Sequence, residues 1–333
     1  VTILAGDIGG TKTLLQLVEP GGHGLQVCYQ QRFNSADFPH FEDILQIFMD
    51  AAGKQCAPPD AACFGVAGPV NERRARTTNL PWTLDAEQIE ARFNISRVAL
   101  INDFQAVGYG IEMLEENDLV TLQTGEEVKQ GNRVIIGAGT GLGHGLLVWQ
   151  QDGYQVVASE GGHASFAPTD ELQIELLQYL AKRSGPVSWE RVVSGPGLVT
   201  LFEFMLETGK GKESPALHEA RRHQDPAAAI SRFALSGDDP LAVQTLDLFS
   251  RLYGAQAGNL ALIGLATGGV YVAGGVAPQI IGKLQDGSFM AGFMHKEASM
   301  RHLLRAMPVQ VVVNPHVGLL GATTSAARLS QGS

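Results

Sequence analysis

At 333 residues the chain is long for a single hydrophobic core, and two domains are expected. Its composition, 44% hydrophobic and 17% charged, is that of a globular protein, and a net charge of −10 with acids and bases intermixed leaves no basic stripe for nucleic acid. Three cysteines, Cys28, Cys56 and Cys63, form no CxxC pair and cannot all be disulfide-bonded within the chain, so a reducing compartment is expected.

In chain order, Thr2–Ala5 and Thr13–Val18 read as strands on either side of the turn Gly6-Asp7-Ile8-Gly9-Gly10-Thr11. Phe41–Ala52 has helical spacing, Ala61–Val66 is a short apolar run ending at Gly68-Pro69, and Asp85–Phe93 reads as a helix with Asp85 as N-cap. Val98–Ile101 reads as a buried strand that ends at Asn102-Asp103, with a helix expected from Phe104 through Leu114. Alternating strands and helices make the chain α/β. About 130 residues after the first turn the pattern restarts: Arg133–Gly137, a turn with Gly139-Thr140-Gly141, then a strand at Gly145–Trp149. This duplication predicts two similar halves facing each other across a cleft, each opening on a glycine hairpin. Leu252–Gly282 carries no charge, yet its many glycines and Pro278 favour a buried helix, a buried strand and a Gly-rich turn over a membrane span.

Adjacent glycines let backbone N–H groups converge on an anion without Cβ interference, and Thr11 and Thr140 add hydroxyls. Asp7 would repel a phosphate unless a cation sat between them, so a Mg²⁺ held through water is expected. Neither GxxxxGK[ST] nor a GxGxxG opening a helix is present, so a P-loop and a dinucleotide fold both fail. A third pair, Gly274-Gly275, follows an apolar run from Val270, and a nucleotide is favoured over coincident turns.

Asn102-Asp103 reads either as a helix N-cap or as a ligand-binding pair at a strand's carboxyl end. In the second reading Asp103 accepts a proton from a hydroxyl attacking a phosphoryl group, and Asn102 binds a neighbouring hydroxyl. In SEGGHASF, Ser159–Phe166, Glu160 and His163 form either a polar loop or paired hydrogen-bonders for adjacent polyol hydroxyls. HExxH is absent. Glu190, ahead of a Ser-Gly-Pro-Gly turn, reads on residue type alone as a first-turn helix acid.

Taken together, GDIGGT, GVAGPV, NLPW, LINDFQAVG, GAGTGLG, EGGHASFAP, WERVVSGPGL, VYVAGGVAP and NPHVGLLGA closely resemble bacterial-type glucokinase, in the sugar-kinase, Hsp70 and actin superfamily. The matching stretches run from residue 6 to residue 322. The resemblance implies a two-lobed actin-like (ribonuclease H-like) ATPase fold with duplicated mixed sheets. Its small domain would take 1–108 plus 316–333 and its large domain 109–315. It implies that Gly6, Asp7, Ile8, Gly9, Gly10 and Thr11, together with Gly139, Thr140 and Gly141, hold ATP phosphates and Mg²⁺. Gly274 and Gly275 would lie against the adenosine. Asn102 and Asp103 would bind glucose, with Asp103 the base on the 6-hydroxyl, and Glu160, His163 and Glu190 would hold hydroxyls toward the anomeric end. A cytoplasmic homodimer that makes glucose 6-phosphate, the first step of glycolysis, is implied.

Related repressor/ORF/kinase proteins carry a Cys-rich zinc motif; the three cysteines here are too scattered for it, and zinc is not expected. With five residues ahead of Gly6, a DNA-binding domain is not expected either. Glu207–Asp239 matches the family weakly and reads as a variable helical surface. The alternatives are a kinase for another hexose (mannose, fructose, an N-acetyl amino sugar), a sugar-independent ATPase of the superfamily, and a non-catalytic sugar sensor.

Overall fold

The opening apolar run forms β1 (Ile3–Ile8), which returns as β2 (Lys12–Gly21) and continues through β3 (Gly24–Asn34), α1 (Phe41–Ala52) and β4 (Ala61–Val66). Three short strands, β5 (Val70–Asn71), β6 (Arg74–Arg76) and β7 (Thr83–Asp85), make a small antiparallel sheet ahead of α2 (Ala86–Phe93), β8 (Arg97–Asn102) and α3 (Asp103–Gly110). The structure, a computed structural model, describes residues 1–21, 24–78, 80–151 and 153–331. Asn79 of the NLPW stretch and residues 332 and 333, counted above with the small domain, lie outside the described residues.

The first sheet is ordered β3-β2-β1-β4-β8, with β1 antiparallel to β2 and parallel to β4. Every residue of β4 is buried, as a parallel strand covered on both faces requires. One face packs on Phe41, Ile44, Leu45 and Phe48 of α1. Asp85 accepts N–H bonds from Glu87 and Gln88, so it is the N-cap that the sequence suggests.

Two expectations change here. The helix begun at Asp103 ends at Gly110 and gives way to a 3-10 turn, Ile111–Met113, instead of running through Leu114. Gly108 and Gly110 weaken its last turn. Cys28 and Cys56 are disulfide-bonded, joining β3 to the segment after α1, a bond that the expected reducing compartment does not favour. Their Cα atoms lie 6.1 Å apart because β3 runs past the end of α1, a proximity that sequence spacing does not show. Cys63 is a free, buried thiol.

The pattern then repeats with β9 (Leu119–Gln123), β10 (Arg133–Ala138), β11 (Leu142–Gln150) and β12 (Gly153–Ser159). Helices follow: α4 (Glu171–Ser184), α5 (Gly195–Glu207), α6 (Pro215–His223), α7 (Pro226–Ser236) and α8 (Pro240–Gly264). Asp170, Ser194, Ser214, Asp225 and Asp239 each cap one of them by accepting a backbone N–H. After β13 (Gly269–Ala273) come α9 (Val276–Gln279), α10 (Ile281–Gln285), α11 (Ser288–Phe293), α12 (Arg301–Ala306) and β14 (Val309–Val312), and α13 (Val317–Gln331) closes the described chain. The second sheet is ordered β12-β11-β10-β13-β14-β9.

The chain divides into two units, Val1–Glu115 with Tyr154–Ala158 and Asn314–Ser333, and Glu116–Gly153 with Ser159–Val313. Within Glu207–Asp239, read as surface, Leu217, Ala229 and Ile230 are fully buried in the second core, so these helices also carry packing. The uncharged Leu252–Gly282 is the end of α8, then β13 and the Gly274-Gly275 turn. No helix of the described residues is long and apolar enough to cross a membrane.

Candidate active site

In the first unit, strand register decides which groups meet. Asp7 pairs with Gly65 of β4, Gly65 with Ile101 of β8, and Val66 with Asn102, so Asp7 and Asn102-Asp103 share the carboxyl ends of three parallel strands. That edge is where open α/β sheets place ligands. The turn after Asp7 is closed by a Gly9 N–H bond to the Lys12 carbonyl at 2.9 Å. Ser35 braces it from β3's end, donating its Oγ to Gly9 O at 2.8 Å and its N–H to Thr11 O at 3.0 Å. Burial raises the Asp7 carboxyl pKa, and the charges of Lys12 and His316 oppose the rise.

Asn102 caps α3, its Oδ1 accepting the Phe104 N–H at 2.9 Å while its Nδ2 donates to Gly68 O at 3.1 Å. Asp103, the first helical residue, accepts the same N–H at 2.9 Å. Burial pushes its pKa up to about 6; the Phe104 N–H pulls it down and the Asp7 charge adds to the rise. The capping reading of Asn102 is met, and Asp103 Oδ2 carries none of these bonds.

In the second unit, the turn between β10 and β11 is held from two sides. Gly139 N–H bonds Gly141 O at 2.8 Å, and Gly139 O accepts the Gly195 N–H at the start of α5 at 2.8 Å. Glu190 accepts the Leu142 N–H on Oε2 at 2.9 Å. A Cβ on Gly141 would lie 2.5 Å from that oxygen, so the carboxylate occupies the space a side chain would need. Glu190 sits in a 3-10 turn, Trp189–Arg191, one turn before α5. His163 bridges the acids loosely: its Nδ1 is 3.9 Å from Glu190 and its Nε2 is 3.9 Å from Glu160. The Glu160 side chain is 84% exposed and that of Glu190 only 32%.

A cavity of about 510 Å³ opens between these elements, lined among others by Thr140, His163, Glu190, Arg191, Ser194 and Thr200. It gathers Thr140, His163 and Glu190 but not Glu160, Gly139, Gly141 or the Gly274-Gly275 turn. Gly274, at φ +82°, adopts a left-handed conformation that glycine favours, and a Cβ there would lie 2.5 Å from Ala138 O, just before the second turn.

Supporting groups escaped the sequence. Tyr253, fully buried in α8, accepts the Ala138 N–H at 2.9 Å and donates to Ala273 O at 3.2 Å, pinning the ends of β10 and β13. Nothing marked it in a glycine-rich apolar run. His316 lies in NPHVG, a stretch quoted for its resemblance without a role, and its charge acts on Asp7.

A family model described as Glucokinase matches residues 4–329. The glucokinase of Nostoc punctiforme is 47% identical over 98% of this chain and 99% of its own, and that of a Synechocystis strain is 44% identical over 98% of each. A crystal structure of glucokinase from an Antarctic psychrotroph superposes with a TM-score of 0.85 at 30% identity, covering 98% of this chain and 99% of that one. A glucokinase from Balamuthia mandrillaris, solved with glucose, has the same fold with a TM-score of 0.78 at 21% identity, over 98% of this chain and 93% of that one.

Proposed function

The chain belongs to the glucokinase family, and from that premise we propose how its residues serve the ATP-dependent phosphorylation of glucose to glucose 6-phosphate. Asp103 is the general base on the 6-hydroxyl, and Asn102 holds a neighbouring hydroxyl. Glu160, His163 and Glu190 hold hydroxyls toward the anomeric carbon. The amides and hydroxyls from Gly6 to Thr11 and from Gly139 to Gly141 bind the phosphates, and Gly274-Gly275 lies against the adenosine.

The observation that carries this reading is the place of Asp103 at the head of α3, on the sheet edge it shares with Asp7, where burial raises its carboxyl pKa to about 6. A base with that pKa is mostly ionised at neutral pH yet accepts a proton far more readily than an exposed aspartate. Phosphoryl transfer asks little else of the protein than positioning and charge neutralisation.

Asp7 fits a role beside Mg²⁺. Burial disfavours its ionised form, which a divalent cation would restore, and one carboxylate suits a metal otherwise bound by phosphate oxygens and water. When bound, the ion would neutralise charge on the transferring phosphate. Asp7 would hold it through water, while Thr11 and the glycine amides orient the phosphate oxygens.

The test is ADP release from Mg-ATP without sugar, then with glucose, mannose, fructose, glucosamine and N-acetylmannosamine. Release that needs glucose and is small without it supports the assignment; sugar-independent hydrolysis overturns it. A larger kcat/KM for another hexose would move the specificity. The family resemblance further implies a homodimer working in the cytoplasm, and sedimentation velocity reads the first of these directly.

A further inference from the structure

Away from these residues, the second unit carries a depression of about 410 Å³ lined by Gln123, Ala291, Met294, His295, Arg301 and Arg305. Its lining is basic and contains no acid, in a chain whose net charge is −10. Among the described residues neither arginine has an ion-pair partner, although every other lining group is neutral or imidazole. Neither Glu126, whose backbone N–H reaches Ala306 O, nor Glu297, four residues before Arg301, forms an ion pair with either guanidinium. Lys296 turns away, its Nζ donating to Ala255 O at 3.0 Å.

The frame beneath the arginines is fixed. Gln123 of β9 donates its Nε2 to both Leu304 O and Met307 O at 2.7 Å, tying down the end of α12 that bears Arg305. Arg301 donates Nε to Lys296 O at 3.0 Å, which orients its guanidinium and leaves the terminal nitrogens uncommitted. Leu304, between the two arginines, is fully buried and anchors the turn in the core. Two forked donors on an anchored turn, with an imidazole beside them and no carboxylate paired with either, suit a phosphate better than any neutral ligand. The volume lies within the range of small-ligand pockets and exceeds what a bare anion needs.

We propose that this depression binds a small phosphate-bearing anion at a site separate from the one that transfers phosphate. The test is calorimetric titration of the full-length protein with inorganic phosphate, at constant ionic strength set with chloride. Saturating Mg²⁺, glucose and a non-hydrolysable ATP analogue occupy the kinase site throughout. One phosphate per chain is expected, bound at least tenfold more weakly by the Arg301→Gln/Arg305→Gln double variant, with its glucose kinetics in chloride buffer unchanged. Arg305→Lys keeps the charge but loses the fork, and intermediate binding is expected. Equal affinity in parent and double variant overturns the proposal, as does binding that chloride displaces equally in both. Because the difference between the two proteins is the readout, failure of the ATP analogue to bind would count against the kinase assignment and leave this test intact.

Discussion

Asp103 is pulled both ways: burial and the Asp7 charge raise its pKa, and the Phe104 N–H lowers it. The sum, about 6, makes its ionised form a burden on the fold at pH 7. A carboxyl whose folded pKa exceeds its unfolded value recovers that stability only as pH falls through 6 toward 4. Asp103→Asn, which keeps an oxygen to accept the Phe104 N–H, should therefore stabilise the protein at pH 7 by roughly 1–3 kcal/mol. The gain should fade as pH falls from about 6 to about 4 and be absent below that. The same change should lower kcat by about 10²–10⁴-fold, the usual yield of a general base. Paired melting curves and turnover numbers check this; a variant both less stable and nearly as active would remove Asp103 from the chemistry. In the parent, kcat/KM should decline on the acid side through about pH 6. Glu160 and Glu190, alike in sequence, should separate in the same assays. Glu160→Gln, on an exposed side chain with no tie to either turn, should raise KM for glucose and leave KM for ATP within about twofold. Glu190→Ala should raise both, because its carboxylate also holds the Leu142 N–H behind the second turn. Equal effects of the two substitutions on ATP would contradict the geometry.

At the level of elements, what the sequence made legible was whatever repeats locally. The helix Phe41–Ala52 and the strand Ala61–Val66 occur with the bounds their apolar patterns gave, because each buries a complete periodic face. The glycine turns stood out for the same local reason. β3 and β12 did not: β3 reads as mostly polar, with Leu25 and Val27 about half exposed, and an edge strand needs little apolar patterning to pair. The braces of the turns were illegible for a different reason. Ser35, Glu190 and Tyr253 act across 26, 48 and 115 residues, and a single polar atom at that distance leaves no period. The Cys28–Cys56 bond is the same kind of contact, and it has a measurable weight. Closing a loop with a sequence separation of 28 contributes about 3–4 kcal/mol in the chain-entropy model. Denatured without reductant, the protein should show one reactive thiol, Cys63, and three after reduction. Reduction should lower the melting temperature of the native protein, and Cys28→Ser/Cys56→Ser should reproduce the shift. Three thiols without reductant would mean that the bond does not form in solution.

Across the whole chain the duplication is a matter of topology. The order β3-β2-β1-β4-β8 has the same form as β12-β11-β10-β13-β14: an antiparallel hairpin around a glycine turn, then two parallel neighbours, with β9 added antiparallel at the end of the second sheet. The two copies differ in how they are completed. The second unit lies between Glu116 and Val313, broken by Tyr154–Ala158 of the first, whereas the first waits for Asn314–Ser333. Its last helix, α13, lies on α3, β1 and β4, and Leu319, Ala322 and Ala326 are fully or nearly buried there. Gln16 donates to the Thr323 hydroxyl at 2.7 Å across this contact, and a Cβ on Gly321 would meet Ala106 O at 1.7 Å, so backbone touches backbone. Burying Leu319 contributes about 1.5–3 kcal/mol, and α13 also covers β1, β4 and β8, whose carboxyl ends carry Asp7 and Asn102-Asp103. Without the helix, the faces of α3, β1 and β4 that it buries would be exposed to water, and a domain held by only roughly 5–15 kcal/mol has little reserve against that loss. A chain ending at Val313 should therefore keep slow amide exchange in residues 159–313 and lose it in β1, β4 and α3, with no phosphorylation of glucose. Gly321→Val should move the full chain the same way by a smaller step, through the close approach to α3. Protection of β1 and β4 in the truncated chain would show instead that the first sheet folds without its last helix, and the wait for the chain's end would not be a condition of folding.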